Sequence, residues 1–97
     1  MIRHVVLFSW NDGMTPEQEK QLTAELTALA PALPGLRSYH AGPDAGIAEG
    51  NFDYAVVADF DDVDSYLGYR ANTQHQDIIS RLTAPNTQTR AAIQYEI

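Results

Sequence analysis

The stretch from Ile2 to Trp10 restricts the possible folds more than any other part of the chain. It is rich in β-branched and aromatic residues, which favour a strand. Side chains alternate along a strand, so Ile2, His4, Val6, Phe8 and Trp10 share one face and Arg3, Val5, Leu7 and Ser9 the other. Both faces are apolar at their centre. Such a strand has to be covered on both sides, because either face left bare would be a contiguous apolar patch in water. Phe52 to Phe60 repeats the pattern, with Tyr54, Val56, Ala58 and Phe60 opposite Asp53, Ala55, Val57 and Asp59.

The segments between supply the cover for one face. Asn11-Asp12-Gly13 is a turn signal, and Thr15-Pro16-Glu17-Gln18 is a capping box with proline at the first helical position. Leu22, Leu26, Leu29 and Leu33 then recur at helical spacing, and Pro31 is expected to end or bend the helix near Ala30. Pro34-Gly35 turns the chain into a second strand over Leu36 to Ala41, followed by a loop from Gly42 to Asn51. Asp61 to Asp64 reads as an acidic helix start, and the helix should run to Tyr69 or Arg70. Asn72 and Thr73 break it. Thr73, with Gln76 three residues on, is expected to cap a further helical piece carrying Ile78, Ile79 and Leu82. After a turn at Pro85-Asn86, Thr87 to Ile97 alternates as a last strand.

The order is therefore β-α-β-β-α-β. Right-handed crossovers turn it into a ferredoxin-like α+β subunit, a four-stranded antiparallel sheet with its helices on one face. Residues 1–97 form one domain with one core. The helices leave Val5, Leu7, Ala55 and Val57 bare. A second sheet is the simplest cover, so a homodimer is expected.

Composition removes several functional classes. Six basic residues against thirteen acidic ones give a net charge of −7, which phosphate backbones and anionic membranes repel. No nucleic-acid or membrane partner is expected. The chain has no cysteine, hence no disulfide, zinc-thiolate site or nucleophilic thiol. The opening residues run directly into a strand without a signal-peptide plan, and a cytoplasmic location is expected. The three histidines lack His-x-x-x-His spacing, and no phosphate loop or Gly-x-Ser-x-Gly elbow occurs, so neither metal nor cofactor is expected.

Chemistry then rests on histidine and tyrosine. His4 lies on an apolar strand face, where a lone histidine is as often a satisfied core residue as a catalyst. His40 sits in the weakest strand and reads as exposed. His75 falls in the first turn of a helical piece, where unpaired amides and the helix dipole disfavour a positive ring. A histidine held neutral there can accept a proton. Tyr69 precedes it across the Asn72-Thr73 break, and its phenol can donate a hydrogen bond to a carbonyl oxygen.

The opening Ile2-Arg3-His4-Val5-Val6-Leu7-Phe8, with Pro34-Gly35-Leu36, the run Phe52 to Phe60, Tyr69 and His75, resembles the stress-responsive dimeric A/B barrel (Dabb) family over nearly the whole chain. That resemblance implies two ferredoxin-like sheets closing a dimeric α+β barrel. It also implies a mixed functional repertoire: stress-associated members without assigned activity, a plant member that cyclises a linear polyketide by an aldol reaction without cofactor, and another that cleaves cyanohydrins. The cyclase's catalytic tyrosine and histidine align with Tyr69 and His75. Its pocket histidines match His4, which is kept, and Tyr54, which is not. Where members commonly read His-Pro-x-His, this chain reads Asn72-Thr73-Gln74-His75.

The reading that follows is a cofactor-free cyclase, aldol or lyase-type enzyme, with His75 as base and Tyr69 as hydrogen-bond donor. His4 and Tyr54 would contact a small apolar or polyketide-like carbonyl ligand, with Val6, Phe8, Leu22, Leu26 and Ile79 as its apolar wall. The alternative is a non-catalytic stress-response or apolar-ligand-binding protein using the same cavity. More remote is a cofactor-free oxygenase, prompted only by Trp10.

Overall fold

The computed structural model describes all 97 residues. Strand β1 (Ile2–Trp10) leads to helix α1 (Pro16–Leu29), then a 3-10 turn at Ala30–Ala32, β2 (Leu36–Pro43) and β3 (Tyr54–Phe60). Helix α2 (Val63–Ala71), the short α3 (Thr73–Ile78), a π turn at Ile79–Thr83 and a 3-10 turn at Ala84–Asn86 precede β4 (Thr87–Glu96). The sheet order is β2-β3-β1-β4, antiparallel throughout, which is the ferredoxin-like arrangement.

Local signals act where the sequence places them. Thr15 Oγ1 accepts from the Gln18 amide and the Gln18 side chain accepts from the Thr15 amide, closing the capping box. Helix α1 stops at Leu29, and the chain tightens through Pro31, whose ring cannot continue the α-helical bonding. Gly35 takes φ +75, and a Cβ there would collide with the Ser65 side chain. That close approach seats the start of α2 on the β2 turn, and Asp61 donates its amide to the Gly35 carbonyl.

One expected cap is corrected. Asn72, not Thr73, caps α3: its Oδ1 accepts from the His75 amide at 2.9 Å, and its carbonyl accepts from Gln76. A side-chain amide one residue nearer the break reaches the first free N–H groups better than Thr73, which is already helical.

Val6, Phe8, Tyr54, Val56, Ala58 and Phe60 form the sheet side of the core, against Leu22, Leu26, Leu29, Tyr66, Tyr69 and Ile78 from the helices. The opposite sheet face keeps Val5, Leu7, Ala55 and Val57 only partly buried, with Ile93 57% and Tyr95 43% exposed beside them. Arg3 crosses this face to grip Asp59 through two bonds of 2.7 and 2.9 Å, and Ser38 adds a third to the same carboxylate. The guanidinium holds the Asp59 carboxyl below its ordinary range. Strand β4 is exposed along nearly its whole length. No helix is long and apolar enough to cross a membrane.

Candidate functional site

A cavity of about 490 Å³ opens between the sheet and the segment from α2 to the π turn. Its apolar wall is Val6, Phe8 and Val56 from the sheet, Leu22 and Leu26 from α1, and Ile79 from the π turn. All five apolar residues singled out in the sequence are on it. The π turn widens the helix at this point, and Ile79, Ser80 and Thr83 all face the space.

His4, Tyr69 and His75 come together at the polar end. The Tyr69 and His75 rings lie 4.0 Å apart, and the Tyr69 and His4 rings 5.9 Å apart. The Asn72 cap fixes the turn from which His75 projects. Its Nδ1 is buried and no protein group bonds it. A buried imidazole nitrogen left without a partner is costly unless something else uses it.

The His75 ring is neutral, with its pKa pushed down to about 4 by burial. The neutrality matches the expectation. Removal from water disfavours the charged ring. His4 is likewise lowered to about 4, first by burial and then by the positive charge of Arg90 and by His75 and Arg70. Gln94 Nε2 lies 2.9 Å from His4 Nδ1, so the amide donates and the ring proton resides on Nε2.

Burial pushes the Tyr69 phenol up to about 12, keeping it protonated. Its oxygen lies 3.2 Å from the Tyr39 oxygen, and Tyr39 is also raised, chiefly by burial. Either hydroxyl can donate in this pair, and in the arrangement where Tyr39 donates, Tyr69 is free to point its own proton into the cavity. Tyr39 carries no sequence signal for this role, because its partner is thirty positions away and the two meet only across β2 and α2.

One expectation fails geometrically. Tyr54 does not line the cavity. Its hydroxyl lies 2.5 Å from Thr23 Oγ1, and its ring packs 5.5 Å from Trp10 at the far end of the sheet. Trp10 is a packing residue, as strand-end tryptophans usually are, stacked on Phe8 with its indole N–H donated to Glu19 at 2.9 Å. His40 is exposed, as expected. Tyr66, Arg70 and Arg90 line the cavity and were not foreseen. Arg70 lies one helical turn after Tyr66, with its guanidinium carbon 5.9 Å from that ring, a spacing legible in the sequence. No group of three or more acidic or histidine side chains is gathered to hold a metal.

A family model described as the Stress responsive A/B Barrel Domain matches residues 2–97. The chain belongs to this family. Among solved structures, the A/B barrel domain is similar to a dimeric ferredoxin-like protein of unknown function from Thermobifida fusca YX, 41% identical, with a TM-score of 0.92 and coverage of 99% of this chain and 90% of that one. A dimeric ferredoxin-like protein of unknown function from Jannaschia sp. CCS1 is 22% identical at a TM-score of 0.83, covering 99% and 98% of the two chains. The hydroxynitrile lyase from Passiflora edulis shares the fold at 19% identity and a TM-score of 0.83, covering 99% and 92%. No curated protein matches the A/B barrel domain's sequence.

Proposed function

We propose that this domain is a homodimeric, cofactor-independent enzyme acting on a small carbonyl compound, of polyketide-cyclising, aldol or lyase type. The observation that carries this reading is the unpartnered, buried nitrogen of a neutral His75 against the protonated Tyr69 in the wall of one apolar cavity. His75 removes a proton from the carbon beside a carbonyl, and the electron pair moves onto the carbonyl oxygen, where Tyr69 donates its hydrogen bond. The enolate carbon then bonds to a second carbonyl carbon of the same molecule, whose oxygen takes the proton back from His75. His4 orients the substrate from the sheet side through its Nε2 proton.

Dimerisation is supported by the apolar second face of the sheet and by the dimeric state of the similar Thermobifida and Jannaschia proteins. An interface on the order of 1,200–2,000 Å² is expected.

The test is solvent deuterium exchange into a neutral aryl methyl ketone, followed by NMR. Wild-type protein should accelerate exchange, His75→Ala should lower the rate by roughly 10²–10⁴-fold, and Tyr69→Phe by less. A His75→Ala variant that exchanges as fast as wild type refutes the assignment. One observation favours a second reading. A base with a pKa near 4 is weak, which suits a carrier of apolar ligands. Binding of the ketone without exchange would select that reading.

A further inference from the structure

The chain has five arginines, and three are paired with carboxylates. Arg3 grips Asp59, Arg37 meets Asp61, and Arg81 bridges Glu25 and Asp77. Arg70 and Arg90 form no ion pair although thirteen acidic residues are available, and both line the cavity. They come from separate elements. Arg70 projects from α2, and Arg90 stands opposite Phe8 on β4, on the helix side of the sheet. No acidic residue lines the cavity with them. A chain of net charge −7 thus lines this one cavity with two arginines and no carboxylate.

We propose that Arg70 and Arg90 are a carboxylate-recognition site, so that the cavity takes a carbonyl compound bearing a carboxylate, its apolar body against Val6, Phe8, Leu22 and Leu26. This deepens the proposed function and rests on the same cavity being the substrate site. Guanidinium groups present planar donor forks that match a carboxylate, and a bond between two charged groups is about twice as strong as a neutral one. The predominantly apolar wall suits an aryl or alkyl body rather than a second polar group.

The arrangement has a consequence for His4. Arg70 and Arg90 both help to hold it uncharged, after burial. A bound carboxylate neutralises their field, which raises the basicity of His4.

Benzoate, its neutral isostere benzamide, and phenyl phosphate are the probes, titrated into the whole protein by calorimetry and by NMR of the histidine rings. Benzoate should bind at least about tenfold more tightly than benzamide, weaken with added salt, and raise the His4 pKa on saturation. Arg70→Gln and Arg90→Gln should each lower benzoate affinity by roughly tenfold and leave benzamide unchanged. The wild-type comparison decides the question even where a variant fails to fold. Equal binding of benzoate and benzamide, no binding of benzoate at millimolar concentration, or tighter binding of phenyl phosphate each overturns the proposal. Ketone exchange that depends on His75 alongside indifference to benzoate would leave the base assignment standing and remove only the carboxylate site. Benzoate binding without exchange would do the reverse.

Discussion

Acidification should destabilise this fold in a window set by its two buried histidines. His4 and His75 both have folded-state pKa values of about 4 against an ordinary 6.5. Between those values the unfolded chain takes up protons that the folded chain refuses. Stability therefore rises with pH here, is fully present above 6.5, and is lost as pH falls towards 4. One pKa unit corresponds to about 1.4 kcal/mol, so each histidine removes up to roughly 3 kcal/mol by the bottom of the window. That is a large share of the 5–15 kcal/mol typical of a domain. The carboxylates held low, Asp59 by Arg3 and Glu25 by Arg81, begin to lose their contribution as pH enters the ordinary carboxylate range, near about pH 5. The histidine effect is therefore read between about pH 7 and about pH 5. Urea unfolding at fixed protein concentration, from about pH 7 to about pH 5, measures the effect directly. His4→Gln and His75→Gln should each flatten the slope by up to about 1.4 kcal/mol per pH unit. A wild-type stability that stays constant across this window, or NMR titration of both rings near 6.5, would refute the reasoning.

Other perturbations test separate parts of the structure. Gly35→Ala combines a left-handed backbone with a Cβ driven onto Ser65, and should cost roughly 2 kcal/mol or more in thermal or urea unfolding. Gly46, also at positive φ but with open space around it, should tolerate alanine better, separating the clash from the backbone preference. Val57→Asp places an unpaired charge on the apolar sheet face and should shift sedimentation towards monomer at micromolar concentration. A dimer unchanged by it would place the interface elsewhere. The deuterium-exchange and benzoate experiments address the site itself.

Much of the scaffold is already present in local pattern. The two-sided strand at Ile2 to Trp10, the capping box at Thr15, the leucines of α1 and the break after Ala71 each depend on neighbours within a few residues, so the chain can be read without its fold. The apolar wall of the cavity was legible for the same reason, because period-two and period-3.6 patterns fix which side chains face inward. His75 and Tyr69 stood out through their place around one helix break and through the family resemblance.

What needed the tertiary structure was every feature made by residues distant in sequence. The alternation places Tyr54 on the inward face, but only the register and the packing of Trp10 and Thr23 carry it away from the cavity. Tyr39 meets Tyr69, and Gln94 meets His4, through cross-strand and sheet-to-helix contacts that no local window contains. The position of His75 at a helix start is local, but the burial that holds its ring neutral depends on everything packed around it. No local pattern in the sequence joins Arg70 to Arg90. Only the pairing of Arg90 with Phe8 across the sheet, and the docking of α2 on that side, bring both arginines to one cavity with no carboxylate among its lining residues. Local sequence fixes which way a side chain faces, because the backbone repeat is short. Which charges share a cavity is decided by long-range register and packing, because those alone determine distance.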